Sequence, residues 1–428
     1  MRILFVLLLV LPFAFASHGQ FWKKDDKSDK KEKKEKRSKQ DLNSMYSLLY
    51  DGDLSADFGA NHLLSDHQAI ARLQNRFIPA NIFKKKDNTL SKIGNSLYRL
   101  SKTFLIDYTM NYSLYSTQRF VFGSKYRLDQ SGATSSEVNL KLPPPYTNDF
   151  STVVSSFTDS ISAFQQSLNL AAAMEGSSVL SDLARKNTLL NKDFAYEDAL
   201  LYLFTNNDLA AHIGLIKDNG YNEIYGYVDQ INTMYTDANL SVQKLKVLSF
   251  LDMGLDPMNI ASAVGIAKYI VKGEELTDML WLKFGEKIKW LPSLKMSLAP
   301  FGPEMNYQNF LKIDKTMFEF DFHHAVGGYV KSMGIDIKAF NLLFGEKKKL
   351  AIDGMMSFWN QPEISFKKEA LYETFEGFSG GGQVNINYRI LKKRNAYVQG
   401  TIGYKGKGYQ EGASLDSDFI FRFGLAFR

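Results

Sequence analysis

Cysteine is absent from the 428 residues of this chain. No disulfide can staple it, and no thiolate can serve as nucleophile or metal ligand. The lipoprotein route, which needs a Cys at the cleavage site, is closed as well. Long apolar runs are also lacking. Beyond the N-terminus the best candidate is Asn259 to Val271, which carries Lys268 and falls short of the roughly 20 residues a spanning helix needs. The sequence therefore predicts no transmembrane helix.

What is present begins with a leader. Arg2 supplies a positive start, Ile3 to Phe13 an apolar run, and Ala14-Phe15-Ala16 a small-x-small ending. That is the pattern of a secretory signal peptide over residues 1–16, with cleavage expected after Ala16. An exported chain follows. Residues 17–40 are expected to be a disordered linker, because Lys23 to Lys39 is dense in Lys, interleaved with Asp and Glu, and nearly devoid of apolar residues. A solvated tether is its plain reading; contact with anionic lipid or lipopolysaccharide is the functional one. The net charge is +6, but an exported chain is not expected to bind nucleic acid.

Residues 41–285 read as mainly helical. Asp41 to Tyr50 is taken as the start of a helix. Leu90, Ile93, Leu97, Leu100 and Phe104 recur at +3 and +4, which makes an amphipathic helix capped by Asn88 or Thr89. Phe120 to Leu128 and Glu137 to Leu142 alternate weakly and are taken as a hairpin, closed by Pro143-Pro144-Pro145. Helical stripes then run from Asn148 to about Lys283. Asp256-Pro257 is a cap followed by proline at the first helical position, and Gly273 ends that helix.

From Lys287 the period changes from 3.6 to 2. Phe318, Phe320 and Phe322 alternate with Glu319, Asp321 and His323. Val384, Ile386, Tyr388 and Ile390 alternate with Gln383, Asn385, Asn387 and Arg389. The chain closes on Phe419, Phe421, Phe423, Leu425 and Phe427, expected to face membrane lipid. The fold class is therefore α+β: an N-terminal amphipathic-helical region, then an antiparallel β-barrel of about eight strands over residues 286–428. Lys392-Lys393-Arg394-Asn395 suits a tight turn, and Lys405 to Ser417 a longer external loop.

Several constellations invite chemistry. The alternate acids of Asp51-Gly52-Asp53-Leu54-Ser55-Ala56-Asp57 suggest a calcium loop, but the sixth place lacks Gly and His62 stands where a bidentate Glu belongs. A polar turn that caps the next helix fits better. His62, Asp66 and His67 lack a third ligand that would make a metal site, and partly exposed helix histidines are the plainer reading. Gly377-Phe378-Ser379-Gly380-Gly381 matches a nucleophile elbow by letters, but a strand follows where a helix is needed. Glu319, Asp321 and His323 would line a barrel lumen. There they form a proton-titrating or metal-binding face, or an interior ion-paired with Lys295 or Lys338.

Two resemblances add to this. Arg422, Gly424, Phe427 and the phenylalanines before them resemble the closing-strand signal of Gram-negative outer-membrane barrel proteins; the departure is the final Arg428. That resemblance implies outer-membrane lipid and lipopolysaccharide as surroundings and the barrel-assembly machinery as partner. The regions Ser113–Leu128 and Leu251–Gly302 are similar to an uncharacterised bacterial membrane-associated family with an H-E-x-x-G-H segment. Here Arg119, Phe120 and Ser124 replace its ligands and base, only Gly123 is kept, and Glu175 would be the third ligand. The resemblance implies a zinc-free relative without catalysis. The expected function is thus an outer-membrane, non-catalytic binding or structural protein with no cofactor and an unknown envelope partner. The alternatives are a degenerate peptidase-like or other envelope hydrolase, small-solute transport, and a soluble periplasmic protein.

Overall fold

The computed structural model describes residues 46–51, 53–83, 88–143, 146, 151–191, 194–214, 222–344, 349–368, 371–391 and 396–427. The expected signal peptide, the Lys-rich linker, Lys392–Asn395 and most of the triple proline lie outside the described residues. The chain is α+β; the described residues form a short strand, then eight helices, then a large antiparallel sheet.

The first described element is a strand, β1 (Tyr46–Tyr50), not the expected helix. It pairs antiparallel with the last strand of the chain, and its Leu48 carbonyl lies so close to Gly424 that any Cβ there would collide with it. Helix α1 (Ala56–Phe77) starts where the Ser55 hydroxyl accepts the Phe58 N–H. Asn88 caps a helix, α2, that continues over residues 89–130 through two π-helical stretches, Thr103–Asp107 and Gln118–Lys125. The expected hairpin over Phe120–Leu128 is therefore helix. The strand that does form, β2 (Ser135–Asn139), pairs with β3 (Thr152–Ser156) in a stretch read as helical.

Helix α3 (Ala163–Leu190) carries a capping box, Ser162 with Gln165. Its small residues let α2 approach closely. A Cβ on Gly123 would stand 2.6 Å from the Ala172 carbonyl, and one on Gly176 would stand 2.7 Å from the Gln118 carbonyl. The two-residue strand β4 (Phe194–Ala195) leads into α4 (Tyr196–Asn206), α5 (Asp208–Gly214), α6 (Glu223–Met234), α7 (Val242–Leu255) and α8 (Pro257–Lys272). As read from the sequence, Asp256 caps α8, Pro257 is its first residue, and Gly273 ends it in the left-handed region. β5 (Leu276–Thr277) pairs back with β4.

The sheet then builds in sequence order. β6 (Leu282–Phe284), β7 (Ile288–Ala299), β8 (Gly302–Ile313), β9 (Thr316–Ala325), β10 (Met333–Phe344), β11 (Leu350–Lys368), β12 (Leu371–Leu391), β13 (Ala396–Lys405) and β14 (Asp418–Phe427) each pair with the next. β1 adds to β14, so the described sheet has ten strands: eight within residues 286–428, as expected, plus β6 and β1 from outside that span. The ladder is open: β6 and β1 are its two edges and are not paired with each other, so the sheet does not close into the expected barrel. Both edges are short, at 3 and 5 residues. Helix contacts differ at the two ends of the ladder. α1 packs on β1, and α7 and α8 pack on β7.

The sheet nevertheless curls. Side chains from β7 through β14 line one cavity beside Val179 and Asp182 of α3. Apolar residues fix that helix at both ends. Phe164 and Leu168 pack with Phe301, Ile364, Phe366 and Tyr409, while Leu189 packs with Leu291, Phe310, Met317 and Phe340.

Two further expectations change. The Leu90, Ile93, Leu97 and Leu100 stripe of α2 faces outward, with Leu90 77% exposed, while Asn95, Arg99 and Lys102 are buried. The polar side is inward because Arg99 donates to the Ile270 and Val271 carbonyls at the end of α8, and Lys102 binds Asp107. The loop after β13, read as external, is folded inward: Lys405, Tyr409 and Leu415 are buried. Its backbone is bonded from inside, where Asp57 N–H reaches the Gly412 carbonyl and Gln361 binds Tyr409 at both N–H and carbonyl.

The α2–α3 contact gives a test. Gly123→Val puts a branched side chain where backbone already fills the space, and overpacking of this kind costs about 1–3 kcal/mol. Thermal and denaturant melts should show that loss, whereas a valine at Gly254, which has open space around it, should be far milder.

Candidate functional site

A cavity of about 290 Å³ lies inside the curled sheet. Alternation within the strands builds it. Glu319, Asp321 and His323 of β9 point inward while Phe320 and Phe322 point out and are exposed. The sequence-predicted trio is thus on one inner face. Lys338 of β10 holds two of its members, with Nζ donating to Glu319 at 2.7 Å and Asp321 at 2.9 Å. His323 Nδ1 lies 3.7 Å from Glu304 on β8. Lys295, the other lysine considered, instead serves Asp182 of α3 at 2.6 Å and Glu411 of the inward loop at 3.2 Å. Arg422 of β14 binds both Asp51 and Asp57.

Asp182, Glu411 and Arg422 were not foreseen as site residues. Asp182 could have been found, since it follows Glu175 by seven residues and so shares a helical face with it. Glu411 could not, because its loop reads as solvent-exposed in sequence. The acids of the supposed calcium loop are accounted for by Arg422 and by Tyr126, whose hydroxyl donates to Asp53.

The segment similar to H-E-x-x-G-H lies in the second π-helical stretch of α2, directly against α3. Arg119 and Glu175 do not pair with each other. The Arg119 guanidinium binds Asp208 through 2.5 and 2.6 Å contacts and reaches Glu223 at 3.1 Å, and it stands 5.3 Å from the Phe120 ring. Burial pushes the Asp208 carboxyl up, but Arg119, His212 and Tyr115 together outweigh that and hold it below the usual carboxylate range. Ser124 spends its hydroxyl on the Arg119 carbonyl. Glu175 is buried and receives Arg127 in a two-pronged pair plus the Gly412 N–H at 2.7 Å. Arg127 also donates to the Ala413 and Gln410 carbonyls.

The remaining candidates are placed singly. His67 is fully buried rather than partly exposed, with Nε2 3.1 Å from Asp198, while Asp66 is exposed. His62 Nε2–H donates to the Leu49 carbonyl at 2.7 Å. Ser379 sits within β12 with strand on both sides, and no helix follows it. Among the described residues no three His, Asp or Glu side chains converge as a metal site. No known protein family, curated protein or solved structure is recognisably similar to this chain.

Two outcomes follow from these environments. Glu175→Gln leaves the Arg127 guanidinium buried without its countercharge, a loss of about 3–5 kcal/mol. Arg127→Met combined with Glu175→Gln should recover part of it, as measured in a double-mutant cycle of denaturant melts. Asp252 of α7 is the second case. Its Oδ2 accepts the Met296 N–H at 3.1 Å, and its Oδ1 has no partner. Burial first, and then Asp256, push its carboxyl from 3.8 up to about 7. A folded-state value above the unfolded one means that the folded protein binds the proton more tightly. The penalty is therefore in force above pH ~7 and is relieved as pH falls toward ~4. Asp252→Asn should add about 2–4 kcal/mol at pH 8, and that gain should vanish near pH 4 in melts run against wild type.

Proposed function

We propose that this is an outer-membrane envelope protein anchored by its curled sheet, with the helical body and inward loop doing non-catalytic binding or structural work. One observation carries the reading: the sheet is apolar outside and charged inside. Exposed outward residues run from Tyr307 through Phe322, Ile335, Phe358, Ile386 and Ile402 to Phe421, with Phe419 81% exposed. The inward positions hold the ion pairs of Lys295, Lys338 and Arg422. A water-soluble sheet would bury the first set and expose the second. Lipid reverses that preference.

Strand length agrees. β7 to β10, β13 and β14 have 10 or 12 residues, and a tilted spanning strand needs about 9–11. The anchor is an open, curled sheet with α1 packed along its β1 edge. The outward Leu90–Leu100 stripe of α2 suits the same apolar surroundings. No described helix is long and apolar enough to cross a membrane. Export by the N-terminal leader and insertion by the barrel-assembly machinery belong to this reading. With α3 and the inward loop packed against the concave face, transport of small solutes is the weaker use of the sheet.

A second reading has its own support. The Arg119–Ser124 segment and Glu175 lie on helices that touch at Gly123 and Gly176, which is the juxtaposition that a zinc-free relative of the peptidase-like family would retain. Stoichiometric zinc in the purified protein would contradict it, since Arg119 and Ser124 stand at the two histidine positions.

Membrane anchoring is tested on the outward face. The full chain should stay in the outer-membrane pellet after a carbonate wash and should insert into lipid vesicles. Phe421→Arg should weaken insertion by about 2–4 kcal/mol, the cost of a cation on the lipid face of a strand. If the wild-type protein washes off and the arginine variant is simply more soluble, the sheet faces water and the proposal fails.

A further inference from the structure

The two lips of the sheet differ in charge. One lip holds the turns 285–287 and 314–315 and the start of β11. Apart from the buried Lys312, its cations are Lys283, Lys287, Lys289, Lys315 and Lys349, and its acids among the described residues are Glu286 and Asp314. The other lip holds the long connections 326–332 and 406–417. There Lys331, Lys367 and Lys407 stand among Asp159, Glu363, Glu373 and Glu376. Those lysines are matched: Lys407 lies 2.6 Å from Glu373 and Lys367 4.0 Å from Asp159. At the short-turn lip none of the five lysines has a carboxylate within ion-pair distance among the described residues.

The strand register sharpens the excess. Lys283 of β6 is directly opposite Lys289 of β7, and Lys289 is directly opposite Lys312 of β8. Like charges opposed across strands repel. Lys312 escapes onto the end of α3, where its Nζ donates to the Leu189, Leu190 and Asn191 carbonyls at 2.6, 3.0 and 2.9 Å. The helix terminus thus has its cation already. Lys283 and Lys289 are left opposed with no acid between them, and an anion would relieve that repulsion.

The flank of this lip says which anion. On the outward face the Phe284 and Trp290 rings are 6.4 Å apart, and Leu282, Phe284, Ile288 and Ile313 are exposed. Apolar side chains, then an aromatic pair with Trp, then bare lysines on flexible stems follow the order of acyl chain, interface and phosphate at a membrane surface. A nucleic acid or an acidic protein would meet the lysines and leave the apolar flank uncovered, whereas a lipid leaflet covers both. In outer-membrane sheets the short turns are periplasmic, so this lip goes with phospholipid and not with lipopolysaccharide.

We propose that the short-turn lip is a docking surface for anionic phospholipid, with headgroup phosphates on Lys283, Lys287, Lys289, Lys315 and Lys349 and acyl chains on the flank from Phe284 to Ile313. The acyl-chain half rests on the membrane-anchoring reading, and the test separates the two.

The measurement is partition of the detergent-purified full chain into vesicles of phosphatidylcholine alone or with phosphatidylglycerol, read by flotation at about 0.15 M and about 1 M salt. Wild type should prefer the phosphatidylglycerol vesicles at least about tenfold at the lower salt, and most of that preference should vanish at the higher. The informative variant carries Lys283→Gln, Lys287→Gln, Lys289→Gln, Lys315→Gln and Lys349→Gln together. Its preference should fall at least about fivefold, while its partition into phosphatidylcholine stays that of wild type. Because opposed like charges are removed, it should melt no lower than wild type. Lys331→Gln with Lys367→Gln and Lys407→Gln changes the opposite lip and should leave the preference within about twofold. The Lys-rich residues 23–39 are the same in every protein compared, so their own attraction to anionic lipid cancels.

No preference in wild type, which would leave a soluble acidic partner as the use of the lip, overturns the proposal. So does an unchanged preference in the five-lysine variant, or an equal loss at the opposite lip. Entry into both vesicles without preference leaves anchoring standing and strikes the lip alone. If wild type fails to enter phosphatidylcholine, anchoring falls, and the lip is still decided by the two variants on phosphatidylglycerol.

Discussion

The buried pair of Arg127 and Glu175 is the junction on which the interior depends. Glu175 belongs to α3, Arg127 to the last turns of α2, and both reach the loop between β13 and β14, through the Gly412 N–H and the Gln410 and Ala413 carbonyls. One ion pair thus ties two helices to a loop some 240 residues away in sequence. Taking two charges from water is expensive, and such a pair repays it only when every donor and acceptor is matched. Here the backbone of the loop provides the matching. The loop is held inward because its polar groups are what satisfy the pair, and that in turn carries Glu411 to Lys295.

The same economy explains which way the sheet faces. Lys338 lies between two carboxylates of the neighbouring strand, and Arg422 meets the chain that enters α1. These contacts exist only if the polar positions turn inward. Since side chains alternate along a strand, the phenylalanines of β9 and β14 must then turn outward. The exposed apolar face is a consequence of the interior pairing as much as of any preference of its own.

That logic also marks what the sequence could reveal. The period-two segments from Lys287 onward were legible because both faces are chemically distinct, and the trio Glu319, Asp321 and His323 was assigned to the inner face with Lys338 among its expected partners. The caps at Asp256 and Gly273 were legible because they are local. The direction of the Leu90–Leu100 stripe was not, because periodicity names a face but not what lies beneath it. Arg99 and Lys102 are drawn inward by carbonyls and an acid on distant elements. β1 was misread for a similar reason: five residues hold too little pattern to compete with a helix reading, and their partner is the other end of the chain. The inward loop was misread because its burial is fixed by Glu175 and Gln361, not by its own composition. The two further strands, β6 and β1, come from outside the period-two region, and the ladder they end is open.

An open ladder leaves two edges whose backbone groups need partners of another kind. At β1 the answer is visible. The Ser47 N–H donates to the Ser65 hydroxyl at 3.2 Å, and His62 donates to the Leu49 carbonyl, so side chains of α1 stand in for the missing strand. His62, which invites a metal reading in sequence, is there a donor for an edge. Ser65 and His62 are three residues apart and so share a helical face. A helix can therefore cap a short strand edge with two side chains, but it cannot do so for a long one, because only one face is available. The shortness of β1 is thus what allows α1 alone to serve that edge. On the concave side α3 and the β13–β14 loop bring Asp182 and Glu411 to the cavity.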